Sequence, residues 1–292
     1  MDHVGAMFRP PSEAESLLLQ VTLGCSHNRC SFCAMYREKP FAPKPFETVE
    51  RDLAEAARYG PAGPRRVFLC DGDALILSQR RLVRILEAVR TRLPWVTRVS
   101  TYGDCRSILR KSVAELRELE ALGLRLVYQG LESGDDEVLE RIDKGSTRAE
   151  AVLSASRLGE AGVAHSVIVL LGIGGVARSR EHALATASLL TEIDPRFASA
   201  LTTTVVPGTR LYDEQVRGQF TLPGKLELLE ELHTLVEQAR FTRCRFSANH
   251  ASNYLPLTAE LPRRRAELLA LLRSVIDQGD VSVLKPEWMR GL

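Results

Sequence analysis

Residues 17–33 run Leu17-Leu18-Leu19-Gln20-Val21-Thr22-Leu23-Gly24-Cys25-Ser26-His27-Asn28-Arg29-Cys30-Ser31-Phe32-Cys33. The apolar part is typical of a short buried strand, and three cysteines follow it at once. These cysteines are clustered too tightly for ordinary disulfide pairing, and in a reducing compartment such a group indicates metal binding. Three thiolates would hold one soft metal centre and leave one coordination position open for chemistry.

Strand and helix patterns alternate along the chain. The predicted strands cover residues 17–23, 67–70, 96–100, 124–129, 165–171 and 198–206. This alternation predicts parallel β/α units. We therefore expect an α/β fold, a partial (β/α)6 TIM-like barrel with a C-terminal helical extension.

Local signals mark several helix ends. Ser112 with Glu115, and Thr147 with Glu150, fit the capping box that begins a helix. Gly123 follows the first of these helices and is expected to end it just before the next strand.

The domain organisation is predicted as one barrel-sized unit. Residues 1–14 form an N-terminal extension, 15–215 the barrel core, and 216–292 a helical extension that completes the same domain. Within that extension we expect helices over 226–239 and 260–276, and a surface tail over 281–292.

The composition limits the partners. A net charge of +2 provides no strong field toward nucleic acid or a membrane. No apolar run reaches the length of about 18 residues that a membrane span needs. Residues 1–11 lack the pattern of a secretory signal. We therefore expect a cytoplasmic protein that binds neither membrane nor nucleic acid.

A polar or glycine-rich motif follows every predicted strand. In a β/α barrel the carboxyl ends of the strands build the active site, so these motifs are expected to contribute to one site. Beyond the cysteine segment they are Asp71-Gly72-Asp73, Ser100-Thr101-Tyr102-Gly103-Asp104, Gly130-Leu131-Glu132-Ser133-Gly134, Gly172-Ile173-Gly174-Gly175 and Pro207-Gly208-Thr209.

On these motifs the chain resembles the radical S-adenosylmethionine superfamily. The spacing of the last two cysteines and the aromatic Phe32 before Cys33 match the family pattern, whereas the first gap, Ser26 to Arg29, is one residue longer. A single insertion changes the path of a loop more than its ligands, because loops absorb insertions. Residues 67–73 resemble the segment that holds the methionine amino group of the cofactor, a role that would fall to Asp71 or Asp73.

Two further segments extend the resemblance to roughly residues 15–215. Residues 128–134, continuing to Lys144-Gly145, look like the elongator, methylthiotransferase and nitrogenase-maturation branch, in which the Glu-Ser pair faces the carboxylate and ribose of the cofactor. Residues 206–212 resemble the ending of strand six near adenine.

The resemblance implies a [4Fe-4S] cluster and S-adenosylmethionine as cofactors. In this family the reduced cluster cleaves S-adenosylmethionine, and the resulting 5′-deoxyadenosyl radical takes hydrogen from a substrate. The implied cluster ligands are Cys25, Cys30 and Cys33. The implied cofactor-binding residues are Phe32, Asp71, Gly72, Asp73, Ser100, Gln129, Glu132, Ser133, Gly172 and Val206. The implied partners are an unidentified small or medium substrate and an electron donor such as flavodoxin or ferredoxin.

Candidate catalytic residues come from two places. Tyr102, Asp104 and Cys105 follow the third strand, and His250 lies in a loop dense in hydrogen-bonding groups. The Cys70 thiol is expected to be buried and inert. Two flanking arginines predict a lowered pKa for the Cys244 thiol.

Other interpretations stay open. The cysteines with His27 could form a structural zinc site, and the barrel could serve a non-catalytic carrier or chaperone of a cofactor. Asp71 and Asp73 could cap the next turn, and Glu132 could be a carboxylate at a helix start. Among enzymes, the lack of a second cysteine cluster disfavours methylthiolation, whereas methyl transfer, dehydrogenation, rearrangement and carbon–carbon bond formation all remain.

Overall fold

The computed structural model describes residues 1–291. The strands are β1 (Leu17–Gln20), β2 (Thr22–Leu23), β3 (Ala42–Pro43), β4 (Arg66–Cys70), β5 (Arg98–Tyr102), β6 (Leu124–Glu132), β7 (Ala164–Leu171), β8 (Phe197–Thr202), β9 (Cys244–Ala248) and β10 (Leu257–Leu261). The α-helices are α1 (Phe46–Ala56), α2 (Gln79–Arg92), α3 (Cys105–Leu109), α4 (Val113–Ala121), α5 (Asp136–Arg141), α6 (Arg148–Glu160), α7 (Gly175–Ile193), α8 (Arg210–Val216), α9 (Lys225–Gln238) and α10 (Arg265–Gln278).

Eight strands form a mostly parallel sheet in the order β1-β4-β5-β6-β7-β8-β9-β10, and β2 pairs with β3 separately. The order confirms the predicted α/β class and its partial, TIM-like arrangement. All six predicted strands are present in part. The first ends at Gln20, with residues 22–23 forming the separate strand β2, and the sixth ends at Thr202. The third is shifted to Arg98–Tyr102, since Val96 follows a turn and its N–H bonds to the Leu93 carbonyl.

The chain divides into two compact units, and unit 1 comprises residues 1–28, 35–129 and 153–165. Its parallel strands pair in register, with Leu17 opposite Val67 and Val67 opposite Val99. Alternate side chains, among them Val67 and Val99, join one buried cluster with residues of α1, α2 and α4. On the opposite face Phe68 packs edge to face against Tyr102, with ring centroids 5.1 Å apart.

Unit 2 comprises residues 29–34, 130–152 and 166–291 as described. Strands β7, β8 and β9 run parallel, and β10 pairs antiparallel with β9. The hairpin corrects the expectation of a helix beginning at Glu260. Residues Leu257–Leu261 alternate between buried and more exposed, which is the period of a strand, and the helix α10 begins only at Arg265.

The segment after α10 lies largely on the surface and is anchored there by specific contacts. Leu284 is buried, and the Lys285 N–H donates to the Tyr254 carbonyl at 2.9 Å. The Arg290 guanidinium donates to the carbonyl oxygens of Ser252 at 2.6 Å and Thr203 at 3.1 Å. The predicted domain boundaries at residues 15 and 215 stay predictions. Among residues 1–291, no helix has both the length and the apolar character that crossing a bilayer requires.

Candidate functional site

The cysteine loop is divided between the two units, with Cys25 in unit 1 and Cys30 and Cys33 in unit 2. All three side chains are partly exposed. The Cys33 N–H donates to the Cys30 carbonyl at 3.2 Å, which forms a tight turn between these cysteines. Phe32, between them, packs on the apolar cluster that contains Leu139 and Ile142. The second half of the loop therefore has an apolar anchor.

Two glycines seat Cys25 against the end of β4. Gly24 has a φ of +69°, and a Cβ there would strike the Lys39 carbonyl oxygen. A Cβ on Gly72 would lie 3.0 Å from the Cys25 Cβ and 2.6 Å from the Tyr36 ring. Neither position has room for a side chain, so the backbone around Cys25 is held closely.

The cysteines suit an iron–sulfur cluster by donor chemistry and seating. Within residues 1–291, no group of three or more His, Cys, Asp or Glu side chains has the arrangement of a metal site. The fit therefore rests on three thiols in one loop, the usual ligands of such clusters, and on the close packing of Gly72 against Cys25.

Asp71 is fully buried directly after β4. Its Oδ2 accepts hydrogen bonds from Gln20 Nε2 at 3.1 Å, the Gly24 N–H at 3.2 Å and Lys39 Nζ at 3.1 Å. Its Oδ1 is buried, and no hydrogen-bond partner for it occurs among residues 1–291. The carboxylate thus already has a full set of donors on one oxygen.

Asp73 is also buried, and both of its carboxylate oxygens accept hydrogen bonds. Its Oδ2 accepts from the Ser26 hydroxyl at 2.5 Å, and its Oδ1 accepts from the Asp104 N–H at 3.4 Å. Burial, and then the neighbouring Asp104 charge, raise the pKa of Asp73 to about 7. The Arg106 guanidinium donates to Ser26 at 2.8 Å and pairs with Asp104 at 3.3 Å. This carboxylate pair with one arginine lies at the carboxyl ends of β4 and β5.

The remaining candidates of β5 and its loop lie in three settings. Ser100 is buried, and its hydroxyl donates to the Val67 carbonyl at 3.4 Å. Tyr102 packs edge to face against the rings of Phe68 and Tyr128, and burial raises the pKa of its hydroxyl. Asp104 caps α3 by accepting the Ser107 N–H at 2.6 Å.

Gln129 and Cys105 belong to a buried polar cluster with residues of α6 and β7. Gln129 Nε2 donates to Cys105 Sγ at 3.0 Å and to Ser154 Oγ at 3.1 Å. Gln129 Oε1 lies 2.7 Å from His165 Nε2. Burial lowers the pKa of His165 to about 4, so the ring is neutral at pH 7.

Glu132 ends β6 in a left-handed conformation, with a φ of +65°. Its Oε1 lies 2.8 Å from Lys144 Nζ, and both side chains are nearly buried. Gly130 makes room for the carboxylate, because a Cβ there would strike Glu132 Oε1. A non-glycine residue in this region carries strain, and such strain clusters at functional sites.

Ser133 pairs with a buried histidine. Its Oγ lies 2.7 Å from His182 Nδ1 and accepts the Asp135 N–H at 3.0 Å. His182 Nε2 lies 3.0 Å from the Leu170 carbonyl oxygen and 3.4 Å from Glu231 Oε1. The hydroxyl of Ser133 is therefore held from α7.

Glu231 connects that histidine to the predicted glycine loop. Its carboxylate accepts the Gly172 N–H at 2.6 Å and the Ser179 hydroxyl at 2.6 Å. Gly172 has a φ of +80°, and a Cβ there would lie 2.7 Å from the Leu228 side chain. Within unit 2 the Ser133 and Gly172 loops thus share one buried network.

Val206 and His250 make local contacts. The Thr209 hydroxyl donates to the Val206 carbonyl at 2.6 Å. His250 Nδ1 accepts the Ser252 N–H at 3.1 Å within its own turn. The next residue, Asn253, donates to the Ala200 carbonyl at 2.9 Å and so ties this turn to β8.

The predicted lowered pKa of Cys244 is wrong. The flanking Arg243 and Arg245 are exposed, whereas Cys244 is fully buried in β9. Burial raises the pKa of its thiol to about 12. Cys70 is fully buried, as predicted, and burial raises the pKa of its thiol.

The structure thus joins the candidates in groups. In unit 1, Asp71 and Gly72 border Cys25, and Asp73 meets Asp104. Sequence reasoning missed Lys39 and Tyr36, which contact Asp71 and Gly72, and His182 and Glu231, which contact Ser133 and Gly172, because no motif marks them. Other partners, such as Gly24, Ser26 and Lys144, lay within quoted segments.

Comparison with known proteins identifies the family that the sequence matches. The model of the family described as the Radical SAM superfamily matches residues 19–187, more than half of the 292-residue chain. Among curated proteins, the heme chaperone HemW of Bacillus subtilis is 22% identical over 217 residues, which are 73% of this chain and 56% of HemW. The chain therefore spans little more than half the length of that relative.

Solved structures share the fold. Methylornithine synthase (PylB) has a TM-score of 0.54 and 18% identity, covering 77% of this chain and 63% of PylB. The radical S-adenosylmethionine methyltransferase TsrM from Kitasatospora setae, with tryptophan and a cofactor analogue bound, has a TM-score of 0.57 and 20% identity, covering 73% of this chain and 41% of TsrM. Elp3 of Methanocaldococcus infernus has a TM-score of 0.51 and 14% identity, covering 90% of this chain and 63% of that Elp3.

Proposed function

The chain belongs to the radical S-adenosylmethionine superfamily, and on that premise we propose that it is a radical enzyme acting on a small or medium substrate. The cofactors of the family are a [4Fe-4S] cluster and S-adenosylmethionine, as the cysteine motif predicted. When bound, they supply a 5′-deoxyadenosyl radical that takes a hydrogen atom from a substrate. The observation that carries the proposal is the loop of three cysteines, with Cys25 seated against Gly72.

The residues of the chain have separate roles in this proposal. Cys25, Cys30 and Cys33 would hold the cluster. Asp73 offers a buried carboxylate that suits the cationic amino group of the cofactor through a charge-assisted hydrogen bond. Glu132 would face the cofactor, with Lys144 orienting its carboxylate.

Three further groups of residues would position the cofactor or the substrate. Phe32, Ser100, Gly172 and Val206 are proposed to shape the cofactor site, and Ser133 and Gln129 to support it through their buried networks. Tyr102, Asp104, Cys105 and His250 remain the proposed substrate-side residues.

The partners of the protein and its cellular location are also proposals. Members of the superfamily need a reductant, and for this chain we propose a flavodoxin or ferredoxin. We propose no nucleic-acid partner. A cytoplasmic location follows from the same proposal, because a reducing compartment preserves the three thiols.

The test is anaerobic incubation with S-adenosylmethionine and dithionite, followed by chromatography of the products. We expect 5′-deoxyadenosine to accumulate with the wild-type chain and not with Cys30→Ala. Equal product from both chains, or none from cluster-loaded wild type, would contradict the enzyme proposal.

A second function is a cofactor chaperone, favoured by the similarity to HemW. The relative is named as a heme chaperone, and on this proposal the present chain would bind heme and release little 5′-deoxyadenosine. A heme titration followed by absorbance separates the two, since an enzyme of the first kind would give no saturable Soret shift.

A further inference from the structure

We propose that Asp71 and Lys39 form a clasp that closes the neck of the cysteine loop, residues 24–39, and that Asp71 is a positioning residue which does not touch the cofactor. The inference rests on the proposed function only in naming the cluster as what the loop serves. It divides the two acids that the sequence left equivalent, Asp71 and Asp73.

The geometry of one oxygen carries the proposal. Asp71 Oδ2 accepts the Gly24 N–H at 3.2 Å and Lys39 Nζ at 3.1 Å. Gly24 precedes the first cysteine, and Lys39 follows the last by six positions. A single carboxylate oxygen therefore bonds to both ends of the loop and fixes the separation of its ends.

Both partners of the clasp are removed from water. The Asp71 side chain is 0% exposed and that of Lys39 is 13% exposed. A buried ion pair need not stabilise a fold, but loss of one partner leaves an uncompensated charge in the interior. Lys39 Nζ also donates to the Ala6 carbonyl, so the ammonium is held on a second side.

Steric contacts at the same place support the clasp independently. The Lys39 carbonyl lies where a Gly24 Cβ would be, so the two ends of the loop touch through their backbones. The Gly72 N–H donates to the Gly24 carbonyl at 3.1 Å, and the buried Tyr36 ring covers Gly72. The neck is therefore fastened by hydrogen bonds on one side and packing on the other.

The alternative role for Asp71 is a direct contact with the cofactor. Its Oδ1 is the one buried oxygen of this carboxylate for which no partner occurs in the described part of the chain. The two roles of Asp71, closing the loop or contacting the cofactor, predict different effects of its substitution. Loss of a clasp loosens the loop before any cluster binds, whereas loss of a ligand weakens only the affinity for S-adenosylmethionine.

The experiment compares Lys39→Met and Asp71→Asn with a matched pair elsewhere in unit 1. Lys44 and Asp52 form a second buried ion pair, 3.3 Å apart with both side chains 3% exposed, so Asp52→Asn controls for the loss of a buried charge partner. Hydrogen exchange of residues 24–39 is measured on the metal-free chains. Iron per chain is measured after anaerobic reconstitution, and the affinity for S-adenosylmethionine by calorimetry on the loaded fraction.

We expect both clasp variants to exchange the loop amides roughly threefold faster or more and to retain less iron than wild type, with unchanged affinity in the loaded fraction. Asp52→Asn should leave loop exchange and iron unchanged. The clasp is overturned if the loop of Lys39→Met exchanges at the wild-type rate. It is also overturned if Asp71→Asn keeps normal iron content and loop exchange but binds S-adenosylmethionine more weakly. If wild-type chain takes up no iron, the proposed function fails, and the exchange data alone decide the clasp.

Discussion

His182 Nδ1 lies 2.7 Å from Ser133 Oγ, in a buried network that also holds the Gly172 N–H through Glu231. A serine of the β6 motif and a glycine of the β7 motif are thereby positioned from two helices, α7 and α9. The histidine lies in neither motif, yet it determines how the Ser133 hydroxyl is oriented.

Replacing His182 tests that network. His182→Ala should lower the free energy of unfolding by about 2–4 kcal/mol, because it opens a cavity and leaves buried polar atoms without partners. Urea unfolding followed by circular dichroism measures the loss. The exposed His3→Ala serves as control and should change stability by less than about 0.5 kcal/mol. A loss for His182→Ala no larger than the control's would show that the network contributes nothing.

The ion pair between Glu132 and Lys144 predicts non-additive substitutions. Lys144→Met should destabilise the chain by about 1–3 kcal/mol, since it leaves a nearly buried carboxylate unpaired. Adding Glu132→Gln should recover part of that loss, because the amide carries no charge. A double-mutant cycle from urea unfolding measures the coupling, and additive losses would contradict the pairing.

The lowered pKa of the buried His165 ring predicts that the folded chain loses stability in acid. Its pKa is about 4 in the folded chain against an ordinary value of 6.5, so between those values the unfolded chain binds more protons. Stability should therefore fall as pH drops from about 6.5 toward 4, by about 1–2 kcal/mol at pH 5. Unfolding at pH 7 and pH 5 measures the slope. The substitution His165→Gln should flatten it, and an unchanged slope in that variant would assign the effect to other groups.

The close packing around Gly72 predicts that a side chain at this position disturbs the cysteine loop. Gly72→Ala would place a methyl group 3.0 Å from the Cys25 Cβ and 2.6 Å from the Tyr36 ring. We expect iron retention to fall severalfold while the chain remains folded. The matched control is Gly159→Ala in α6, where a Cβ meets nothing within 4 Å, and it should keep full iron and gain slight helix stability. Full iron retention by Gly72→Ala would mean that Cys25 is not seated there.

Local signals in the sequence were sufficient for much of the fold. The capping box of Ser112 and Glu115 has both of its hydrogen bonds, at 3.2 and 2.7 Å, because both partners lie within one turn. The β9–β10 hairpin was missed because the strand at residues 257–261 is short and is followed closely by a helix. Part of the strand was therefore assigned to that helix.

The supporting residues of the candidate site could not be found in this way. Lys39 and Asp71 are 32 positions apart, and Ser133 and His182 are 49 positions apart. Each pair meets only after parallel strands and their helices bring distant segments together. A single lysine or histidine carries no periodicity or spacing that marks its partner, so the cysteine motif was visible in the sequence and the groups around it were not.

The most direct measurement is the metal and sulfide content of chain purified without oxygen, compared with Cys30→Ala. We expect about four irons and four sulfides per wild-type chain, with an electron paramagnetic resonance signal after reduction, and the loss of all three in the variant. Stoichiometric zinc without sulfide in the wild-type chain, or full iron in Cys30→Ala, would rule out a cluster held by these cysteines.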